Sequence, residues 1–275
     1  MTMKIVVIGH GMVGHKFLES LLHAPGHDLQ VTVLCEEPRP AYDRVHLSEF
    51  FSGKTAEDLS LVAPGFFDRD DVVLRLNARA TSIDLAAKQV TTSTGEVLPY
   101  DKLVIATGSS PFVPPIPGKD RKDCFVYRTI EDLEAMLECS QRAKSGVVVG
   151  GGLLGLECAK ALRDMKLEQT HVVEFAGRLM AMQVDDGGGR MLRRKIEDLG
   201  VTVHTQKNTV EIVDGVEGKH RMQFADGTHL DADMIVFSAG IRFMPPIVGC
   251  VRPGYPADDV GLRPGDRILE IDGEP

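Results

Sequence analysis

The chain carries one local pattern twice, and this repeat limits the folds that it can adopt. In each copy a short apolar run leads into a Gly-x-Gly-x-x-Gly sequence, first at residues 9–14 and again at residues 150–155. A stretch with helical periodicity follows, and then a second apolar run that ends in an acid, Glu36 or Glu174. Continuous apolar runs bounded by glycine are typical of buried parallel strands. The repeat therefore predicts two units of strand, glycine turn, helix and strand.

Each copy also closes in the same way. Residues 95–108 and residues 227–240 both begin with a glycine turn, pass through an aspartate and an apolar run, and end in glycine. Between opening and closing lie short alternating segments, such as residues 80–84 and 89–93, which predict a small antiparallel meander. The predicted fold class is α/β, with two tandem doubly wound dinucleotide-binding units that each carry a β-meander insertion.

The glycine positions match what a dinucleotide site needs. The first glycine makes the tight turn, the second lets the backbone approach a pyrophosphate, and the third lets the helix pack close to the strand. The helix N-terminus then offers free N–H groups and the positive end of its dipole to the phosphates, and the acid accepts hydrogen bonds from ribose hydroxyls. Two copies in the same context favour this interpretation over ordinary turns. The candidate residues are Gly9, Gly11, Gly14 and Glu36 in the first copy, and Gly150, Gly152, Gly155 and Glu174 in the second.

The acid of the second copy predicts which nicotinamide cofactor is preferred. A carboxylate at Glu174 repels the 2′-phosphate of NADPH, so NADH is expected to bind more tightly than NADPH. Arg178 lies four residues further along and could soften that preference.

Further candidates lie in loops. Arg44 either pairs with a flavin pyrophosphate or is a surface arginine. Thr107 and Gly108 follow an apolar strand, where ligands bind in open α/β sheets, although a plain strand-end turn is the alternative. Gly240 occupies the corresponding place in the second copy.

Composition and spacing argue against several other classes of protein. The net charge of −9 does not favour a nucleic-acid surface. No apolar run approaches the ~20 residues that span a bilayer, and residues 1–12 are interpreted as a buried strand rather than a signal peptide. The nine histidines lack metal-ligand spacing and are interpreted as surface or core residues. The five cysteines are scattered, which favours reduced thiols in a cytoplasmic protein with no metal site.

A redox cysteine next to the flavin is also not expected. Flavin enzymes that reduce disulfides or peroxide need such a thiol, and residues 42–51 contain no cysteine. The sequence therefore predicts hydride transfer from nicotinamide to flavin, with the electrons leaving by another route.

Several stretches are more specific than the general repeat. They are residues 8–15, 35–39, 41–48, 124–133 and 149–157. Together they resemble the large subunit of assimilatory NAD(P)H-dependent nitrite reductase, from about residue 3 to about residue 242. The resemblance implies that NADH, bound near Gly150, Gly152, Gly155 and Glu174, gives hydride to FAD. It implies that FAD is held by Gly9, Gly11, Gly14, Glu36, Arg44, Thr107 and Gly108.

The same resemblance implies that the flavin feeds electrons to an iron–sulfur cluster and siroheme, where nitrite becomes ammonia. These metal centres belong to later domains of the family that this chain does not encode. After residue 242 the sequence departs from the family, and residues 252–273 resemble the first part of a PDZ domain of membrane-embedded metalloproteases. We expect the N-terminal segment of an incomplete FAD-binding domain at residues 1–121, an NADH-binding domain at 122–242 and a partial PDZ-like tail at 243–275, as in a fused or truncated chain.

Three functions are compatible with these patterns. The first is the electron-entry part of a nitrite reductase. The second is an NADH-dependent reductase of a separate iron–sulfur carrier, such as rubredoxin or ferredoxin. The third is a non-catalytic interaction protein with a degenerate nucleotide fold, which flavin content would separate from the other two. The expected partners are NADH and a downstream electron-acceptor domain or protein, with no nucleic acid or membrane, and the chain is compatible with an oligomer.

Overall fold

The computed structural model describes residues 2–23, 28–216 and 219–243, with side chains described as far as residue 241. Within these ranges the chain forms two compact units. The first unit contains the chain up to residue 43 together with residues 59–109, and the second contains residues 44–58 and 110–242.

The elements of the first unit are β1 Met3–Ile8, α1 Met12–His23, β2 Leu29–Leu34, β3 Val72–Arg75, β4 Ala80–Asp84, β5 Gln89–Thr92, β6 Val97–Pro99 and β7 Lys102–Ile105. Four of the strands form a parallel sheet in the order β3-β2-β1-β7. Ile8 of β1 is in register with Leu34 of β2 and with Ile105 of β7, so the carboxyl ends of these strands lie along one edge.

Successive side chains of the strands point to opposite faces of this sheet, and both faces are covered. Val7 and Val31 pack with Leu18 of α1 on one face, and all three are fully buried. On the other face Val6 packs with Val90 of β5, in the antiparallel meander β4-β5-β6. The meander predicted from the sequence is thus confirmed, and it covers the sheet face opposite α1.

The remaining elements are a 3-10 helix Leu47–Ser52, β8 Ser109–Pro111, β9 Cys124–Val126, α2 Ile130–Ser140, β10 Ser145–Val149, α3 Leu153–Asp164, β11 Gln169–Val173, α4 Asp186–Asp198, β12 Val201–His204, β13 Thr209–Asp214, β14 His220–Phe224, β15 His229–Ala232, β16 Met234–Phe237 and β17 Ile241–Phe243. The second unit repeats the plan of the first with a five-stranded parallel sheet in the order β12-β11-β10-β16-β9. Helix α2 packs against β9, α3 against β10 and β11, and α4 against β12. The meander β13-β14-β15 contributes Met222, which packs with Val147 and Phe237 of the sheet.

Each unit therefore has the predicted order of strand, glycine turn, helix and strand, closed by a meander and a last strand. The predicted α/β fold class with parallel, doubly wound sheets is confirmed. None of the helices among the described residues has the length and apolar character needed to cross a bilayer.

The connection between the repeats packs with the second unit. The N–H of Ile212 donates to the carbonyl of Pro117 at 2.9 Å. A Cβ atom on Gly118 would lie 2.0 Å from the carbonyl oxygen of Ile212, so only glycine allows this approach. Residues 110–121 thus lie with the second unit, whereas the expected domain boundary falls after residue 121. The domain boundary after residue 121 stays a prediction.

Candidate dinucleotide-binding sites

The first glycine turn joins β1 to α1 and is closely packed at two of its three glycines. Gly9 has a φ of +103°, and a Cβ atom there would lie 2.3 Å from the carbonyl oxygen of Ala106. A Cβ atom on Gly14 would lie 2.2 Å from the carbonyl oxygen of Gly9. By contrast, a Cβ atom on Gly11 would meet nothing within 4 Å. The outer glycines let strand and helix meet, and the middle glycine leaves open space at the start of α1.

Three other candidates of the first unit lie at the same edge of the sheet. Thr107 and Gly108 follow Ala106, the first residue after β7, and both are exposed. The N–H of Ala106 donates to the carbonyl of Ile8 at 2.8 Å. Glu36 lies two residues after β2, and its side chain is 68% exposed, with an Nη1 atom of Arg79 3.6 Å away. Glu36 is therefore free to exchange this weak surface pair for a ribose hydroxyl.

Arg44 is not part of the first unit. It belongs to the segment of residues 44–58 in the second unit, where its Nη1 donates to the carbonyl oxygen of Arg128 at 2.9 Å. The pairing of Arg44 with a flavin pyrophosphate stays a prediction.

The second glycine turn, between β10 and α3, has the same construction. Gly150 has a φ of +123°, and its Cβ would lie 2.2 Å from the carbonyl oxygen of Ser238. A Cβ on Gly155 would lie 1.9 Å from the carbonyl oxygen of Gly150. Gly152 is the N-cap of α3, and a Cβ there would meet nothing within 4 Å. Gly240 follows β16 by three residues, is exposed, and has open space around its Cα.

Glu174 is fixed by two backbone donors. Its Oε2 atom accepts a hydrogen bond from the N–H of Gly151 at 2.5 Å, and its Oε1 atom accepts one from the N–H of Ala176 at 2.6 Å. Each carboxylate oxygen has further lone pairs, so a ribose hydroxyl can still donate to it. The structure thus brings Glu174 directly to the second glycine turn.

These features fit the pyrophosphate of a dinucleotide at both turns. In each, a helix begins beside a glycine that leaves space where a side chain would otherwise stand, and the first turn of that helix contains no acidic residue. Free N–H groups and a positive dipole end are what an anionic phosphate binds. The residues present therefore suit FAD at the first turn and NADH at the second.

Two histidines at the first glycine turn, His10 and His15, are buried. His10 is only 4% exposed, its Nδ1 accepts from the N–H of Ala41 at 3.1 Å, and its ring stacks edge-on against His15 and Phe67. Burial, followed by the charge of His15, lowers the pKa of His10 to about 4. His10 is thus one of the core histidines that the sequence left as an alternative, and it ties the glycine turn to the chain that follows β2. The spacing of the motif contains no signal for this contact.

Replacing His10 with asparagine is expected to flatten the acid dependence of stability. The folded-state pKa of His10 lies below the unfolded value of 6.5, so the unfolded chain takes up the proton first as the pH falls. The free energy of unfolding is therefore unaffected by the titration of His10 above pH 6.5 and decreases as the pH falls towards 4. This shift corresponds to about 3 kcal/mol of unfolding free energy. Asparagine keeps an oxygen that can accept from Ala41 but does not titrate. Urea unfolding at pH 7 and pH 4.5 measures the effect, and an unchanged difference between the two pH values would contradict it.

The cysteines that the structure describes do not have the character of redox thiols. Burial raises the pKa of Cys124 to about 11 and that of Cys139 to about 12, and it also raises the pKa of Cys158. Cys35 is buried, and its Sγ donates to the carbonyl oxygen of Arg39. Protonated, buried thiols are poor nucleophiles. Cys124, Cys139 and Cys158 are therefore poor candidates for redox thiols.

Comparison with known proteins identifies the family. The sequence profile described as pyridine nucleotide-disulphide oxidoreductase matches residues 3–254. The chain belongs to this family. This agrees with the predicted enzyme class, an FAD-dependent NAD(P)H oxidoreductase, and with the predicted FAD and nicotinamide cofactors. A PDZ-domain profile matches residues 247–275, in agreement with the predicted resemblance of the tail, which lies outside the described residues.

Relatives of this oxidoreductase include the large subunit of nitrite reductase (NADH) from Escherichia coli (strain K12). The two are 56% identical over 241 residues, which is 87% of this chain and 28% of the relative, so the chain spans little more than a quarter of that protein's length. This likeness confirms the resemblance inferred from the sequence.

Two solved structures show the same fold. One is a NAD-dependent persulfide reductase from A. fulgidus, with 28% identity and a TM-score of 0.80, covering 89% of this chain and 47% of the other. The other is the ferredoxin reductase for the CYP199A2 system from Rhodopseudomonas palustris, with 26% identity and a TM-score of 0.78, covering 86% of this chain and 59% of the other.

Proposed function

We propose that the chain transfers hydride from NADH, bound at the second glycine turn, to FAD, bound at the first. The observation that carries this proposal is the matching geometry of the two turns. In each, a Cβ atom on the first or third glycine would overlap backbone atoms, whereas a Cβ atom on the middle glycine, at the start of the helix, would meet nothing within 4 Å. FAD, when bound, supplies a two-electron acceptor that can release electrons one at a time. In the overall reaction NADH, FAD and one proton give NAD⁺ and FADH₂.

The residues of the chain bind and orient the two dinucleotides. The N–H groups at the start of α3 bind the NADH pyrophosphate, while Glu174 accepts from the adenosine ribose hydroxyls and repels a 2′-phosphate. In the first unit the N–H groups at the start of α1 bind the FAD pyrophosphate, and Glu36 accepts from its ribose. Thr107 and Gly108 lie beside the first turn, and Gly240 takes the corresponding place in the second unit. The proposed domains are residues 1–121 for FAD, residues 122–242 for NADH and a PDZ-like tail at 243–275.

The downstream acceptor follows from the relatives. The strong likeness to nitrite reductase (NADH) supports a role as the electron-entry part of an assimilatory nitrite reductase, in which nitrite becomes ammonia at an iron–sulfur cluster and siroheme outside this chain. The likeness to a ferredoxin reductase supports a second candidate, in which a separate iron–sulfur carrier takes the electrons. NADH is an intracellular reductant, so we place the protein in the cytoplasm.

The direct test is spectroscopic. The purified chain is expected to show flavin absorbance between about 350 and 500 nm, which bleaches when NADH is added without oxygen. The matched control is the Gly152→Asp variant, which should retain the flavin band and fail to bleach it with NADH. A chain that binds NADH but contains no flavin, even after incubation with FAD, would contradict hydride transfer to FAD. Rapid reoxidation of the bleached chain by added ferredoxin would favour the second candidate.

A further inference from the structure

The loop between β11 and α4, residues 174–185, packs against the second glycine turn. The N–H of Met180 donates to the carbonyl oxygen of Gly151 at 2.9 Å, while the N–H of Gly151 donates to Glu174. Leu179 is fully buried, and its Cδ2 atom lies 2.7 Å from the position of a Cβ on Gly151. Both peptide groups of Gly151 are thus held in place, directly before the open N-cap glycine of α3. The shape of this loop therefore sets the geometry of the NADH site.

Arg178 in turn holds the loop. Its Nε donates to the carbonyl oxygen of Val184 at 2.9 Å and its Nη2 to the carbonyl oxygen of Ala181 at 3.1 Å. Its Nη1 donates to a carboxylate oxygen of Asp186, the first residue of α4, also at 2.9 Å. All three nitrogens of the guanidinium are therefore engaged by the loop and by the helix that follows it. A planar fork of this kind fixes several acceptors at once, which a lysine ammonium does not do.

A glycine in α4 makes room for this arginine. A Cβ atom on Gly189 would lie 3.0 Å from both the Cβ and the Cδ of Arg178, and Gly189 is buried. Glycine inside a helix costs about 1 kcal/mol relative to alanine, so its presence there calls for a packing reason. The stem of Arg178, which lies against this glycine, supplies that reason.

We propose that Arg178 is a positioning residue for NADH selection and not a ligand of a 2′-phosphate. The proposal rests on the proposed function, since it takes the second glycine turn as the NADH site. On this proposal Arg178 does not soften the preference for NADH over NADPH, because each of its guanidinium nitrogens already donates one hydrogen bond to the loop or to Asp186. By fixing the loop, Arg178 keeps Gly151 and Glu174 in the arrangement that accepts the unphosphorylated ribose.

Conservative replacement of the arginine separates the two roles. Affinities of the purified full chain for NADH and for NADPH are measured by calorimetry for the wild type, Arg178→Lys and Arg178→Ala, with folding checked by thermal unfolding. A positioning role predicts that both variants lose about tenfold in NADH affinity, which is the contribution of one charge-assisted hydrogen bond. The ratio of NADH affinity to NADPH affinity should then decrease. A phosphate ligand predicts instead that Arg178→Lys leaves both affinities unchanged and that Arg178→Ala weakens NADPH alone.

Two further variants keep the test decisive if Arg178→Ala unfolds. Gly189→Ala shifts the arginine stem by a few tenths of an ångström without removing its charge and should lower NADH affinity in the same direction. Arg142→Ala removes an exposed arginine paired with Asp123 and should change neither affinity. If Arg178→Lys and Gly189→Ala both bind NADH as the wild type does, the role of Arg178 is overturned while the proposed function stands. A wild-type chain that binds no NADH would overturn the proposed function itself, and this role with it.

Discussion

The Gly152→Asp variant is expected to fold as the parent chain does and to lose NADH binding. Gly152 is the N-cap of α3, with an extended backbone at φ −80° and ψ −176°, and a side chain there would meet nothing within 4 Å. Aspartate is among the preferred N-cap residues because its carboxylate accepts from N–H groups of the first turn. The helix should therefore keep its stability or gain some.

NADH binding is lost because the new carboxylate occupies the site of another anion. It takes up the N–H groups that bind the pyrophosphate, and it places a negative charge beside two phosphates. Opposed like charges cost several kcal/mol, so the affinity for NADH should fall by at least about 100-fold. Calorimetric titration with NADH measures this loss, and thermal unfolding shows that the variant is folded.

Asparagine at the same position is the matched control. Gly152→Asn caps the helix and fills the same space but adds no charge, so it should bind NADH with an affinity between those of the wild type and of Gly152→Asp. Wild-type affinity in Gly152→Asp would show that the pyrophosphate does not lie at the start of α3.

The sequence was sufficient to predict the parts of the site that depend on neighbouring residues. Both glycine turns are local, since an apolar strand, three glycines and a helix follow one another within a few residues. The structure therefore reproduces their predicted order, including the meanders that close each unit. Glu174 could also be placed, because the end of β11 must lie beside the end of β10 in a parallel sheet.

Contacts between distant residues could not be predicted in this way. Arg44 lies 84 residues from Arg128, whose carbonyl oxygen accepts its hydrogen bond, and no periodicity links the two. Arg178 illustrates a second reason. Its charge and its position suggested a phosphate ligand, but three acceptors nearby in the chain compete for the same guanidinium. Only the conformation of the loop decides between them, and side-chain hydrogen bonds of this kind leave no pattern in the sequence.

The Gly14→Ala variant is expected to destabilise the first unit severely. The added Cβ would lie 2.2 Å from the carbonyl oxygen of Gly9 and 3.2 Å from its carbonyl carbon. These are backbone atoms of the turn itself, so no side chain can rotate away to relieve the overlap. Helix α1 would have to move off β1 and withdraw Leu18, which is fully buried against that sheet. Overpacking of this kind together with a disturbed core should cost about 3–5 kcal/mol of unfolding free energy.

The Gly11→Ala variant provides the contrast, because its Cβ would meet nothing within 4 Å. It should unfold in urea within about 1 kcal/mol of the wild type, as surface substitutions do, yet retain flavin less well because the methyl group fills the space that the pyrophosphate needs. Urea unfolding and flavin absorbance of the two variants measure stability and cofactor retention separately. Equal unfolding midpoints would contradict the close packing of Gly14. Equal flavin retention in Gly11→Ala and the wild type would mean that the FAD phosphates do not approach the backbone at Gly11. Close packing at Gly14 and phosphate binding at Gly11 would then not be separate roles of these two glycines.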